Sequence, residues 1–150
     1  MRSKLIIALD VRSADSIEGV VRSLPAEVSL YKVGLELFVA DGATALATLR
    51  GHGKRVFLDL KLHDIPRTVA RAVAAAARHD ADLLTVHAAG GRAMLMEAAK
   101  AARDAGAHRP RLLAVTTLTS LDQTDLTELG IARPLTEHTL AMGRLAIDCS

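Results

Sequence analysis

The chain has few aromatic residues and a single cysteine. Its 150 residues include no tryptophan, one tyrosine and two phenylalanines, so an aromatic platform for stacking single-stranded nucleic acid is not expected. Cys149 has no second cysteine with which to form an internal disulfide, and one thiol cannot build a cysteine metal cluster. A disulfide scaffold and a cysteine-based metal protein are therefore excluded.

The chain also lacks a long apolar segment and a marked excess of one charge. The first apolar run, residues 5–9, is too short for a secretory signal, and no run approaches the roughly 20 residues that cross a bilayer. The 19 basic and 17 acidic residues leave a net charge of +2, which is too small to indicate a nucleic-acid partner. We therefore expect a cytoplasmic protein that binds neither membranes nor nucleic acid.

The apolar content is sufficient for one folded domain. Half of the residues (50%) are hydrophobic and 24% are charged, a composition that excludes intrinsic disorder. A chain of this length buries roughly two-thirds of its unfolded surface when it folds. We therefore expect residues 1–150 to form a single domain.

Short apolar runs alternate with helix-like segments along the chain. Strands are predicted at residues 5–9, 28–33, 55–62, 83–87 and 112–118. The first helix is predicted to start from an N-cap at Ser13 or Asp15 and to end at Leu24. Further helices are predicted at 36–50, 68–79 (with Pro66 in the first turn), 93–105 and 136–147. Apolar strands separated by helices predict an α/β fold with a parallel sheet.

Two architectures have this alternation, a doubly wound sheet and part of a (β/α)₈ TIM barrel. The phosphate-binding G-x-G-x-x-G of the first is missing, because the first strand runs directly into Asp10. Each strand is instead followed by, or ends in, a polar residue: Asp10, Lys32, Asp59 with Lys61, His87 and Thr119. Barrel enzymes gather polar groups at this end of their strands. A TIM-barrel fold is favoured, with about five of its eight β/α units present.

The strand at 55–62 carries charge on one face. Strand alternation directs four apolar side chains toward the helices: Val56, Leu58, Leu60 and Leu62. It directs Phe57, Asp59 and Lys61 into the barrel. A carboxylate beside an ammonium can be a structural ion pair. Because Asp64 follows within reach of the strand end, three charges gather where barrel sites lie, and a functional site is favoured.

Lys32 extends this charged face onto the neighbouring strand. It can be a strand-end lysine whose tip reaches solvent. Next to Asp59 it more readily completes an alternating array of lysines and aspartates, in which flanking carboxylates keep Lys61 charged and fixed. A fixed ammonium can stabilise a developing carbanion and then protonate it.

Five segments occur in an order and at a spacing that resemble the orotidine 5′-phosphate decarboxylase family. They are IALD at 7–10, KVG at 32–34, DLKLHDIP at 59–66 with Thr68, VHAAGG at 86–91 and LTS at 118–120. The resemblance covers essentially the whole chain. It implies a (β/α)₈ barrel that acts as a homodimer without metal or organic cofactor. The implied reaction converts orotidine 5′-phosphate to uridine 5′-phosphate in de novo pyrimidine biosynthesis.

The resemblance also implies roles for the charged residues. Lys61 is implied as the proton donor to C6 of the pyrimidine, held in place by Asp59 and Lys32. Lys32 and Asp10 are implied to contact the ribose. Asp64 is implied to complete the array in the site of the neighbouring subunit.

Three further residues are implied to contact the substrate. Ile65 and Thr68 accompany Asp64, with Thr68 also reaching the neighbouring site, and Thr119 is implied to hydrogen-bond the pyrimidine. His87 is expected at the barrel mouth and is assigned no catalytic role.

The family pattern continues beyond this chain. The family has a sixth, a seventh and an eighth strand, and loops of the last two hold the substrate phosphate through glutamine and arginine side chains. The sequence given stops at Asp148-Cys149-Ser150. Binding energy at a remote phosphate supports catalysis at the reacting carbon. We therefore expect the 150-residue chain to be poorly active or dependent on association, with unpaired edges on its first and fifth strands.

Two other functions stay open at this point. A Mg²⁺-dependent sugar-phosphate lyase or aldolase of the same superfamily shares a D-x-K-x-x-D pattern, and Glu36 could supply an acidic ligand. The Ile65-Pro66 and LTS segments favour the nucleotide enzyme over it. A non-catalytic fragment that only dimerises is the second alternative.

Overall fold

The computed structural model describes residues 5–150 and contains one parallel sheet. Its five strands pair in the order β1-β2-β3-β4-β5. The strands are β1 Ile6–Leu9, β2 Leu30–Gly34, β3 Arg55–Leu62, β4 Leu83–His87 and β5 Arg111–Val115. A doubly wound sheet reverses its strand order at a switch point, whereas consecutive neighbours are the arrangement of a β/α barrel. The predicted barrel-type α/β fold is confirmed, with five of the β/α units present.

Helices follow the strands and cover one side of the sheet, as right-handed crossovers between neighbouring parallel strands require. They are α1 Ile17–Ser23, α2 Leu35–Gly51, α3 Pro66–Arg78, α4 Gly91–Asp104, α5 Gln123–Glu128 and α6 Leu135–Asp148. Pro66 lies in the first turn of α3, as predicted. No helix within residues 5–150 is long and apolar enough to span a membrane.

The core lies between the sheet and its helices. Val56 and Leu58 of β3 are fully buried against it, and Leu60 and Leu62 pack at its border, so the predicted helix-facing side of β3 is confirmed. Adjacent strands bury Tyr31, Val33, Leu84 and Val86 in the same layer. The opposite face of the sheet is left free for the charged residues.

Several predicted boundaries differ from the structure, and three of the differences have a clear physical cause. β2 begins at Leu30 because Val28 is held in a turn, its N–H donating to the Pro25 carbonyl at 3.0 Å. β5 ends at Val115, which pairs with the last residue of β4, so residues 116–118 have no ladder to join. The first helical segment opens as a 3₁₀ turn, Ala14–Ser16, and Ser13 at its N-cap makes no capping bond.

The cap of that 3₁₀ turn comes from a distant residue. Asp41 accepts the Ala14 N–H at 3.0 Å. Asp41 has non-helical dihedral angles and marks a kink inside α2. A side chain 27 positions away in sequence therefore replaces the local cap that was predicted.

The sheet has two open edges in the part of the chain that the structure describes. β1 pairs only with β2, and β5 pairs only with β4. Ile6 and Leu113 on these strands are 41% and 38% exposed. The predicted unpaired edges are therefore present.

Candidate active site

Four charged side chains form a line across the carboxyl ends of three adjacent strands. Asp10 follows β1, Lys32 lies near the end of β2, and Asp59 and Lys61 lie in β3. Lys32 Nζ is 3.9 Å from Asp10 Oδ1 and 3.9 Å from Asp59 Oδ2. Lys61 Nζ is 2.9 Å from each Asp59 carboxylate oxygen. The structure thus brings together an Asp-Lys-Asp-Lys array, which we call the charged array.

Asp59 is the most enclosed member of the charged array. Its side chain is 16% exposed, against 41% for Lys61 and 84% for Asp10. Burial alone would raise the pKa of Asp59, but hydrogen bonds from Lys61 and Thr85 and the charges of Lys61 and Lys32 outweigh it and lower that pKa. Asp59 therefore stays ionised and fixes the position of the Lys61 ammonium.

The backbone of Lys61 leaves the regular strand conformation. Lys61 has φ of 49°, in the left-handed region that costs energy for residues other than glycine. The β3–β4 pairing shifts at the same place: between the pairs Leu58–Leu84 and Leu62–Val86, β3 advances four residues while β4 advances two. Lys61 lies within this bulge, and its side chain contacts Asp59. Bulges commonly redirect a side chain next to an active site.

Thr85 is a residue of the site that the sequence analysis did not identify. It lies in β4 and is 5% exposed. Its hydroxyl accepts the Lys61 backbone N–H at 2.8 Å and donates to Asp59 Oδ1 at 3.0 Å. The sequence signal was a polar residue inside the otherwise apolar run LLTV, two positions before His87 and so on the same strand face.

Two histidines lie beside the charged array. The rings of His63 and His87 are 5.2 Å apart between centroids, in a tilted arrangement. Burial lowers the pKa of His87, and the nearby His63 and Lys61 lower it further. A neutral imidazole beside Lys61 adds no positive charge to the site at neutral pH. His87 stands at the carboxyl end of β4, as expected.

The residues that the resemblance assigns to a neighbouring subunit are exposed in this chain. Asp64, Ile65 and Thr68 lie at the start of α3, and Ile65 is 66% exposed. Asp64 Oδ1 accepts the Ile65 N–H at 2.6 Å, and within residues 5–150 Asp64 makes no ion pair with Lys61. The spacing predicts that Asp64 joins Asp59 and Lys61, and within residues 5–150 no ion pair or hydrogen bond links Asp64 to either of them.

Two more predicted positions make no hydrogen bond or ion pair with the charged array. Thr119 is exposed in the turn after β5, and Glu36 is exposed in the first turn of α2. Across the described residues, no group of three or more His, Cys, Asp or Glu side chains could hold a metal ion. A groove of about 750 Å³ lies between the carboxyl ends of α3 and α4, lined by Arg78 and His108 among others, at the opposite end of the sheet.

The fold and the site together define a β/α-barrel protein whose charged array lies at the carboxyl ends of its strands. The sequence model of the orotidine 5′-phosphate decarboxylase / HUMPS family matches residues 3–148. The chain belongs to this family.

Relatives at high identity cover nearly all of the chain. It is 47% identical over 146 residues to an orotidine 5′-phosphate decarboxylase of Pelobacter propionicus, with 97% of the chain aligned. It is also 47% identical over 148 residues to one of Chromobacterium violaceum. The crystal structure of orotidine 5′-phosphate decarboxylase from Lactobacillus acidophilus superposes with a TM-score of 0.90 at 34% identity, covering 99% of the chain.

The coverage of these relatives is partial. The chain spans 61% of the Pelobacter propionicus protein and 59% of the Chromobacterium violaceum protein. It covers 69% of the Lactobacillus acidophilus structure.

Proposed function

We propose that residues 1–150 form the amino-terminal part of a decarboxylase barrel and supply the acid–base half of its active site. The substrate is orotidine 5′-phosphate and the product is uridine 5′-phosphate. The observation that carries the proposal is the position of the Lys61 ammonium, which lies 2.9 Å from both oxygens of the enclosed Asp59 carboxylate. The chain that holds this pair belongs to the orotidine 5′-phosphate decarboxylase / HUMPS family. Lys32 faces the same carboxylate at 3.9 Å.

Lys61 acts on C6 of the pyrimidine in the proposed reaction. The bond from C6 to the carboxylate carbon breaks, CO₂ leaves, and the electron pair stays on C6. The Lys61 ammonium stabilises that charge and transfers a proton from Nζ to C6, after which solvent reprotonates the amine. Because Asp59, itself paired with Lys32, holds the Lys61 ammonium, the site needs little reorganisation during reaction.

The remaining contacts follow from the same proposal. Asp10 and Lys32 bind the ribose, consistent with the 84% exposed carboxylate of Asp10 at the end of β1. Thr119, exposed in the turn after β5, hydrogen-bonds the pyrimidine.

Asp64, Ile65 and Thr68 are proposed to serve the neighbouring site of a homodimer. Their exposure at the start of α3, and the absence of an Asp64–Lys61 ion pair within the described chain, support a role outside their own site. Mixing Lys61→Ala with Asp64→Asn tests this. Subunit exchange creates one intact site in each mixed dimer, so we expect roughly a quarter of wild-type activity from two nearly inactive variants. No recovery after proven exchange would contradict the shared site.

Turnover of orotidine 5′-phosphate in the presence of a chelator tests the reaction itself. We expect the wild-type chain and Lys100→Ala to form uridine 5′-phosphate slowly, because the phosphate-holding loops of the family are not part of these 150 residues, and Lys61→Ala to form none above background. Lys100 is a fair control because it is an exposed lysine that pairs with Asp104 on α4. Activity toward a sugar phosphate that the chelator removes would instead support the Mg²⁺-dependent lyase. A folded dimer by gel filtration without turnover would support the non-catalytic fragment.

A further inference from the structure

We propose that Thr85 is a positioning residue that locks the β3 bulge and thereby sets the place of the Lys61 ammonium. The effect of Thr85 on catalysis rests on the proposed function. The structural part of the proposal is that two hydrogen bonds of the Thr85 hydroxyl, which we call the lock, hold the bulge in place. This part can be tested without turnover.

The Thr85 hydroxyl has a fixed direction. It accepts the Lys61 N–H at 2.8 Å, so its lone pairs face Lys61 and its single proton is directed to Asp59 Oδ1 at 3.0 Å. At 5% exposure, water has little access to compete for either bond. The hydroxyl therefore links the backbone of one site residue to the side chain of the other.

These bonds close a ring. The Lys61 backbone donates to Thr85, Thr85 donates to Asp59, and Asp59 accepts the side-chain ammonium of the same Lys61 at 2.9 Å. The backbone of Lys61 is thus bound to Thr85, and its side chain is bound to Asp59. The ammonium cannot move without breaking a bond in the ring.

The ring also explains how the unusual backbone at Lys61 persists. A non-glycine residue keeps a φ of 49° only where its surroundings hold it there. In the bulge, β3 advances four residues against two of β4, which moves Lys61 out of the regular ladder. The Thr85 hydroxyl supplies the acceptor that the Lys61 N–H would otherwise lack.

Kinetics of matched variants test the consequence for catalysis. Thr85→Val keeps the shape and removes the hydroxyl, Thr85→Ser keeps the hydroxyl, and Thr48→Val makes the same change in α2. We expect Thr85→Val to lower kcat about 10- to 100-fold, which is the loss of one charge-assisted bond, with KM changed less than about threefold. Thr85→Ser and Thr48→Val should stay within about threefold of wild type in kcat. Unchanged kcat in Thr85→Val would overturn the proposal.

A measurement without substrate separates this proposal from the proposed function. In Thr85→Val, NMR should show a higher pKa for the Asp59 carboxyl and faster hydrogen exchange at the Lys61 N–H, and Thr85→Ser should retain both wild-type values. If both quantities stay at wild-type values in Thr85→Val, the lock does not exist. If they change while the wild-type chain lacks turnover, the lock stands and the proposed function fails. Should Thr85→Val not fold, Thr85→Ala takes its place with the same expected shifts.

Discussion

Replacing Asp59 by asparagine isolates the charge at the centre of the array. The amide keeps the shape of the side chain and one oxygen that can accept hydrogen bonds. It removes the negative charge that faces Lys61 at 2.9 Å and Lys32 at 3.9 Å. Two ammonium groups are then left facing a neutral partner.

The expected loss of stability follows from these contacts. Hydrogen bonds to a charged group contribute about 1.5–3 kcal/mol each when both partners are buried. Lys61 is 41% exposed, so solvent screening reduces the effect. We expect Asp59→Asn to lower the free energy of unfolding by about 1–2 kcal/mol at pH 7.

The pH dependence of this stabilisation follows from the lowered pKa of Asp59. The fold lowers that pKa, so the stabilisation is complete above the unfolded value of about 3.9. It is lost as pH falls through the lower folded value, because both states then bind the proton. The difference between wild type and Asp59→Asn should therefore shrink toward zero in acid.

Urea unfolding at pH 7 and in acid, followed by circular dichroism, measures these differences. Asp104→Asn is the matched control because it removes the same charge from an exposed pair with Lys100 on α4. We expect the control to leave the urea midpoint unchanged, since exposed pairs are screened. Equal midpoint shifts for the two variants, or a shift for Asp59→Asn that persists in acid, would show that the Asp59 charge does not stabilise the fold.

Two further predictions concern the kink in α2 and the histidine beside the array. At Gly42 an added Cβ would lie 2.8 Å from the Phe38 ring. We therefore expect Gly42→Ala to lower the free energy of unfolding, measured by urea unfolding, by about 1–3 kcal/mol. Gly19→Ala in α1, where nothing lies within 4 Å, should instead raise it by about 0.5–1 kcal/mol; the same sign for both would contradict the packing argument. Burial and the Lys61 charge lower the pKa of His87, so Lys61→Met should raise that pKa in an NMR titration, whereas no change would show that the lysine charge does not reach the ring.

The apolar patterning of the strands was sufficient to predict most of the fold. The boundaries of β3 and β4 match the prediction because apolar residues recur at strand spacing along each, at positions 56, 58, 60 and 62 of β3 and at 84 and 86 of β4. β5 was predicted to reach residue 118 from the same pattern. Its true end is set by pairing with His87 of β4, a tertiary constraint that local sequence does not contain.

The charged residues of the candidate site were predictable from the sequence, but the bulge and the hydrogen bonds that join them were not. Strand alternation placed Asp59 and Lys61 on one face, and their 2.9 Å contact agrees with it. The bulge and the φ of 49° at Lys61 could not be predicted, because a strict period of two has no place for extra residues. Thr85 was missed because a threonine in a strand is ordinarily a strand-forming residue, and its role depends on the register between β3 and β4.

Binding of uridine 5′-phosphate, mapped by NMR on the 150-residue chain, tests most directly whether the charged array is the nucleotide site. We expect the largest amide shifts at Lys32, Lys61 and Thr85, and weaker binding by Lys61→Ala. Shifts confined to the groove between α3 and α4, at Arg78 and His108, with Lys61 unchanged, would place the nucleotide at the other end of the sheet and show that the charged array is not the nucleotide site.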